Sequence, residues 1–179
     1  MFGEAIRQAK TSEDFVEFFC NRADLYYDWQ KFDKAADDLD NALNHDPTNS
    51  KVHYQQGLTW YAYRKYKKAI KSFKLSLHNG PLKFYEPDIF YHLGLSYCRL
   101  QKFEKAIFPF SKCVEKVPSD LRYIHERAKA YQMIEWHKEA VQDFNVVINK
   151  NPKNAHAFFR RAFSLKALKV SRSLQLTNL

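Results

Sequence analysis

An all-α solenoid of tandem helix–turn–helix repeats, about nine helices long, is the fold this sequence predicts. Three observations carry that prediction. First, like residues recur in lanes that share one period. Tyr26, Trp60, Tyr97 and Tyr131 are separated by 34, 37 and 34 residues, as are Ala35, Ala69, Ala106 and Ala140. Leu39, Phe73, Phe110 and Phe144 keep the same intervals, and so do Pro47, Pro81, Pro118 and Pro152. A fixed period near 34 residues marks a chain in which each unit hides its apolar face against its neighbours. Second, apolar residues inside each unit fall at helical spacing, as Tyr66, Ala69, Ile70, Phe73 and Leu77 do. Third, stop signals fall between the units, as in Asn79-Gly80-Pro81, where glycine caps a helix and proline cannot continue it.

Taken in order, residues 1–15 form an N-terminal segment, a short helix or a partial repeat. Four full units follow at 16–49, 50–83, 87–120 and 121–154. In the second unit, Ser50 to Tyr63 makes one helix, with small Gly57 where another backbone approaches closely. Arg64-Lys65 is the break, and Tyr66 to Leu77 makes the second helix. Phe84, Tyr85 and Glu86 are an insertion whose two rings either serve a binding face or cover helix ends. Residues 155–179 are an incomplete fifth unit, with its first helix over about 155–168 and a divergent tail. The tail matches no second helix, so Leu174, Leu176 and Leu179 are the local candidates to cover the stripe of Phe158, Ala162 and Leu165.

The unit resembles the tetratricopeptide repeat. The small residue midway along its first helix, helix A, is Ala23, Gly57, Gly94, Ala128 and Ala162, and the aromatic three positions later is the Tyr26 lane. Two lanes depart from the family pattern. The position usually filled by tryptophan holds Phe19, His53, Phe90, Ile124 and Phe158. The position usually filled by leucine holds Arg22, Gln56, Leu93, Arg127 and Arg161, whose stems can still be buried. The resemblance implies a right-handed superhelical stack and a non-catalytic scaffold or adaptor that binds peptide segments of other proteins. It also implies an intracellular setting, cytoplasmic first, with cilium or nucleus as alternatives.

The family's groove positions, carried over, are Asp24, Lys51, Tyr54, Leu58, Tyr61, Tyr91, Leu95, Arg122, His125, Lys129 and Phe159. They imply a trough that is acidic at one end, aromatic in the middle and basic at the other. Tyr54, Tyr61 and Tyr91 would serve as anchors, because a ring with a hydroxyl handle gives contact area at low entropy cost. A subclass of the family grips the C-terminal carboxylate of chaperones. Asn21, Lys51 and Gln55 echo that clamp only in part, which disfavours this partner.

Charge supplies the rival reading. Residues 1–49 carry 5 Lys/Arg and 11 Asp/Glu, a net of −6, whereas residues 50–179 carry a net of +15. Arg64, Lys67, Lys68, Lys71 and Lys74 crowd one turn and helix, a surface suited to nucleic acid or an acidic partner. No nucleic-acid motif accompanies it, and the stripe itself has no interleaved exposed aromatics to stack bases. This reading therefore ranks below the first.

An enzyme is disfavoured. Four glycines leave no phosphate-binding loop, the seven histidines show no metal spacing, and no cofactor is expected. Cys20, Cys98 and Cys113 are odd in number and widely spaced, which fits reduced thiols. No apolar run approaches the ~18 residues of a membrane helix. The exposed C-terminal face leaves room for self-association.

Overall fold

Thr11 starts the first helix among the described residues. Its hydroxyl accepts from the Asp14 backbone N–H at 3.1 Å, and the Asp14 carboxylate accepts from the Thr11 N–H at 2.9 Å. This reciprocal cap satisfies two donors that a helix start leaves unpaired. It sets the beginning of α1 (Ser12–Asp28) four residues ahead of the start expected at position 16. The computed structural model of the chain describes residues 11–80 and 83–177, with side chains through residue 170. The expected segment 1–15 therefore lies largely outside the described residues, as does Pro81.

Eight further helices follow among the described residues: α2 (Phe32–His45), α3 (Ser50–Ala62), α4 (Tyr66–His78), α5 (Glu86–Arg99), α6 (Phe103–Lys116), α7 (Leu121–Met133), α8 (His137–Lys150) and α9 (Ala155–Thr177). No strand occurs among the described residues. The A helices are α1, α3, α5, α7 and α9, and the B helices are α2, α4, α6 and α8. Polar side chains cap the A helices: Asn49 accepts from the Val52 N–H at 3.1 Å, and Asp120 from the Arg122 N–H at 3.0 Å.

Each A–B turn is built the same way without glycine. Gln30, Arg64, Gln101 and Glu135 adopt φ of 57°, 60°, 57° and 63°. In the first turn, Lys31 N–H donates to the Tyr26 carbonyl and Gln30 N–H to the Tyr27 carbonyl, both at 2.8 Å. Arg64-Lys65, Gln101-Lys102 and Glu135-Trp136 repeat this pair of bonds. The two crossing bonds satisfy carbonyls that the helix end would otherwise leave bare. Glycine is kept for the exit from α4, where Gly80 takes φ 76°.

The chain divides into two compact units, Met1–Ser96 and Tyr97–Leu179. In the first, α1 packs on α2, α2 on α3 and α3 on α4. Its core gathers Ala23, Ala35, Leu39, Ala42 and Val52, and fully buries Phe73 on Gly57. In the second, α7 packs on both α6 and α8, and α9 on α8. Its core holds Ile124, Ala128, Ala140, Phe144, Val147 and Ala157. The lanes read from the sequence are this core: Ala35, Ala69, Ala106 and Ala140 are inaccessible, as are Phe73, Phe110 and Phe144. Each such large side chain contributes about 1.5–3 kcal/mol of burial.

The departing lane has a structural role of its own. Arg22 forks onto Asp38 through Nε (2.7 Å) and Nη2 (2.6 Å), and Arg127 onto Asp143 with both bonds at 2.8 Å. In the second repeat, Ser72 donates to Gln56 at 2.6 Å, and Gln56 donates to Asp40 at 2.6 Å. Arg127 also reaches Ser111, and Arg161 donates to Asn145 at 2.8 Å. Apart from Leu93, the side chains in this lane lace an A helix to a B helix, through partners sixteen residues away in sequence.

At the far end the structure corrects the expected helix over 155–168. α9 runs unbroken to Thr177 instead of ending in a divergent tail. Between Ala155 and Thr177 there is no Gly, Pro, Asn or Asp to stop it, and most residues there are good helix formers. The side chains of Leu174 and Leu176, and all of Leu179, lie outside the described residues.

Candidate functional site

The candidate groove residues of the first unit sit on α1, α3 and α5. Asp24 is exposed on α1 and accepts both bonds of the Gln55 amide, at 3.0 and 3.2 Å. Partial burial raises its pKa despite that bond and the nearby Lys51. Gln55, part of the incomplete carboxylate clamp, is thus engaged by an acid of the chain itself. Lys51 is exposed at the start of α3.

Tyr54 is half-buried and donates its hydroxyl to Asp88 of α5. Burial first, then that bond, pushes the phenol well above its ordinary range. Asp88 serves a second partner, because His92 Nδ1 stands 3.2 Å from its carboxylate, one helical turn on. Tyr61 sets its ring against Tyr66 at 5.6 Å and His92 at 5.7 Å. Leu58, Tyr91 and Leu95 are half-buried along the same two helices. The result is one strip, Tyr54–Asp88–His92–Tyr61, with hydroxyl, carboxylate and imidazole groups among apolar rings. His92 was missing from the sequence-derived set. Its spacing of four from Asp88 on one helix was the available signal.

The two rings of the insertion differ in their surroundings. Tyr85 packs on Tyr54, with centroids 5.5 Å apart, and lines with Lys51, Ser76, Asn79 and Ile89 a cavity of about 320 Å³. Phe84 stands 86% exposed.

In the second unit the basic residues are answered locally. Arg122 forks onto its own cap, Asp120, at 2.6–3.1 Å, and this holds the Asp120 carboxyl below its usual range. Lys129 pairs with Glu126 at 2.7 Å. His125 stacks on His156 with centroids 5.4 Å apart and meets Phe144 edge-on, and burial lowers its pKa. Phe159 is 72% exposed and borders a cavity of about 480 Å³ with Met133, His137, Arg160 and Phe163.

Arg64, Lys67, Lys68, Lys71 and Lys74 are all exposed. Aromatic rings stand beside this stripe rather than within it. Lys68 Nζ lies 4.0 Å from the centre of the Trp60 ring, and Trp60 stacks on exposed Tyr63, itself beneath Lys65. The rings come from the end of α3 and the turn after it, which the lysine run of α4 alone did not reveal.

Among the described residues, no group of three or more His, Cys, Asp and Glu could hold a metal ion. Likewise, no helix among them is long and apolar enough to cross a membrane.

The chain is built of tetratricopeptide repeats, and its fold is the all-α solenoid of helix–turn–helix units that such repeats make. A tetratricopeptide-repeat family model matches residues 88–120. Tetratricopeptide repeat protein 16 of Mus musculus is 25% identical over an alignment of 152 residues that covers 78% of this chain. That match spans only 19% of the length of the mouse protein. Among solved structures, the chain superposes on YrrB, a tetratricopeptide-repeat protein with an unusual peptide-binding site. The TM-score is 0.81 at 22% identity, covering 94% of this chain and 84% of YrrB. A crystal structure of MamA gives a TM-score of 0.81 at 16% identity, over 90% of this chain and 86% of MamA. MamA of Desulfovibrio magneticus RS-1 gives 0.75 at 16%, over 92% and 97%.

Proposed function

We propose that this chain is a non-catalytic scaffold whose A helices hold peptide segments of partner proteins. The observation that carries the reading is the strip Tyr54–Asp88–His92–Tyr61 on α3 and α5. There, half-exposed rings offer apolar contact, while hydroxyl, carboxylate and imidazole groups offer directional bonds. Partly wet aromatic side chains flanked by polar groups are the usual anchors of peptide recognition. The likeness in fold to YrrB, which has a peptide-binding site, supports the same reading.

The test is capture of partners from cell extract with the native chain and with the Tyr54→Ala, Tyr91→Ala double variant, each checked for unchanged helix content. Purified partners should bind the variant at least tenfold more weakly. Equal binding by a folded variant would refute the site.

A second reading rests on the lysines of α4 with Tyr63 and Trp60 beside them. It assigns that face to a polyanion, and predicts a binding constant that falls steeply with salt.

A further inference from the structure

α9 presents a face that its counterparts bury. His53, Phe90 and Ile124 are 6%, 9% and 5% exposed, whereas Phe158, in the same lane, is 39% exposed. Ala23 and Ala128 are closed off, yet Ala162 is open. Leu165 is 41% exposed, where Tyr26, Trp60, Tyr97 and Tyr131 are half-buried. These three positions, spaced by four and three, form one stripe. In the first and fourth repeats, helix B covers the corresponding stripe: α2 brings Ala35 and Leu39 to Ala23, and α8 brings Ala140 and Phe144 to Ala128.

The polar lane says what a helix seated on this face would carry. Arg22 and Arg127 each fork onto an aspartate of the following helix B, sixteen residues on. Arg161 stands in the same lane. Its Nη1 donates backward to Asn145, as Arg127 donates backward to Ser111. Its guanidinium lies 5.2 Å over the Phe158 ring, as that of Arg22 lies 5.6 Å over Phe19. The forward position is Thr177, which lies on α9 itself, about 24 Å along the axis from Arg161. Among the described residues no carboxylate meets Arg161, and α9 contains no Asp or Glu at all. Arg160, Lys166 and Lys169 add to its positive charge. That charge opposes pairing of α9 with a second α9 and favours a partner bearing carboxylate.

We propose that the outer face of α9 is a receptor for an amphipathic helix of a partner protein. That helix stands where helix B stands in the complete repeats and sets an aspartate on Arg161. Its pattern is that of α2 and α8, an alanine, then an aspartate three residues on, then leucine or phenylalanine, as in Ala35-Asp38-Leu39 and Ala140-Asp143-Phe144. The apolar residues fill the stripe of Phe158, Ala162 and Leu165, and the carboxylate completes the fork that Arg161 leaves half-used.

The probe is a fluorescein-labelled synthetic peptide with the sequence of residues 135–151, titrated with the whole chain and read by anisotropy. Saturable binding is expected. Arg161→Glu and Leu165→Asp should each weaken it at least tenfold in chains whose helix content is unchanged. A peptide whose aspartate is replaced by lysine should regain binding to the Arg161→Glu variant. The Tyr54→Ala, Tyr91→Ala chain should bind the peptide as the native chain does, so this site and the groove stand or fall separately. Absence of saturable binding would overturn the proposal. So would binding that ignores both α9 variants, because the peptide would then be exchanging with α8. A dimer of the chain alone that Leu165→Asp converts to monomer in sedimentation would assign the face to a second copy instead.

Discussion

Replacing Arg127 by glutamine isolates the polar lacing of the solenoid. In the native chain Arg127 gives two 2.8 Å bonds to Asp143, whose side chain is 10% exposed. The pair also raises the pKa of Arg127. Removing one member of a buried pair costs about 3–5 kcal/mol, and an exposed pair about 0–1. Arg127 keeps 20% of its side chain in contact with solvent, which places the loss between those limits, at about 2–3 kcal/mol. For a chain of this size that is a drop of roughly 6–10 °C in melting temperature. The second repeat supplies the rescue, because Gln56 and Ser72 fill the equivalent places as a neutral pair. Adding Asp143→Ser to Arg127→Gln should therefore restore at least half of the loss. Urea unfolding of the four chains of this cycle, followed by circular dichroism, measures the coupling directly. A loss below about 0.5 kcal/mol for Arg127→Gln, or no rescue by Asp143→Ser, would refute the reasoning.

Four further outcomes follow from particular sites. Gly57→Ala would set a Cβ 2.5 Å from two ring carbons of inaccessible Phe73. Overpacking of about 1–3 kcal/mol outweighs a helix-propensity gain of about 1, so chemical denaturation should show a net loss, and an unchanged midpoint would contradict this. Gln30→Gly and Gln101→Gly relieve a left-handed backbone worth about 1–2 kcal/mol, less the extra entropy of unfolded glycine. Each should stabilise by about 0.5–1 kcal/mol, and a lowered melting temperature would count against the strain. Burial pushes the Cys20 and Cys98 thiols up to about 11, and Cys113 is inaccessible. Thiol titration at pH 8 should accordingly run at least tenfold slower in the native chain than in urea, and equal rates would refute it. His125 has its pKa lowered chiefly by burial, among Phe144, His156, Glu126, Lys129 and Arg160. Below about pH 6.5 the unfolded chain binds more protons at this site, so stability should fall there, and less steeply in His125→Gln.

Most of the fold was legible because its determinants are repeated. A lane of alanine followed four residues later by leucine or phenylalanine reports a packing site four times over, and all four proved inaccessible. Capping was half legible. Asn49 and Asp120 are caps by residue type, whereas the left-handed turns at Gln30, Arg64, Gln101 and Glu135 use residues that carry no turn signal. Their geometry is imposed by packing of the helices on either side. The length of α9 was misjudged for a related reason. With no glycine in the true A–B turns, the absence of a turn after Leu168 left no mark beyond the missing stop residues. Candidate sites were legible only as positions. Asp24, Tyr54, Arg122 and Lys129 were placed by lane, but their partners, Gln55, Asp88, Asp120 and Glu126, depend on side-chain reach across or along helices, which period alone does not encode.

The distribution of order within the repeat bears on how the chain diversifies. The B helices carry the invariant work: inaccessible alanine and aromatic side chains, and the aspartates or serine that hold the lacing lane. The A helices carry their small residue inward and leave other positions to vary, from Asp24 to Leu58 to Lys129. In a quasi-one-dimensional stack, stability is close to a sum of repeat and neighbour terms. An outward A-helix position can therefore change chemistry at little cost, while a lane position cannot. The exposed residues that break this rule are then the informative ones. Phe158, Ala162 and Leu165 are exposed at positions that the other repeats bury or half-bury, beside an arginine with half of its fork in use. A helix placed on them would bury the same chemistry that α8 buries on α7.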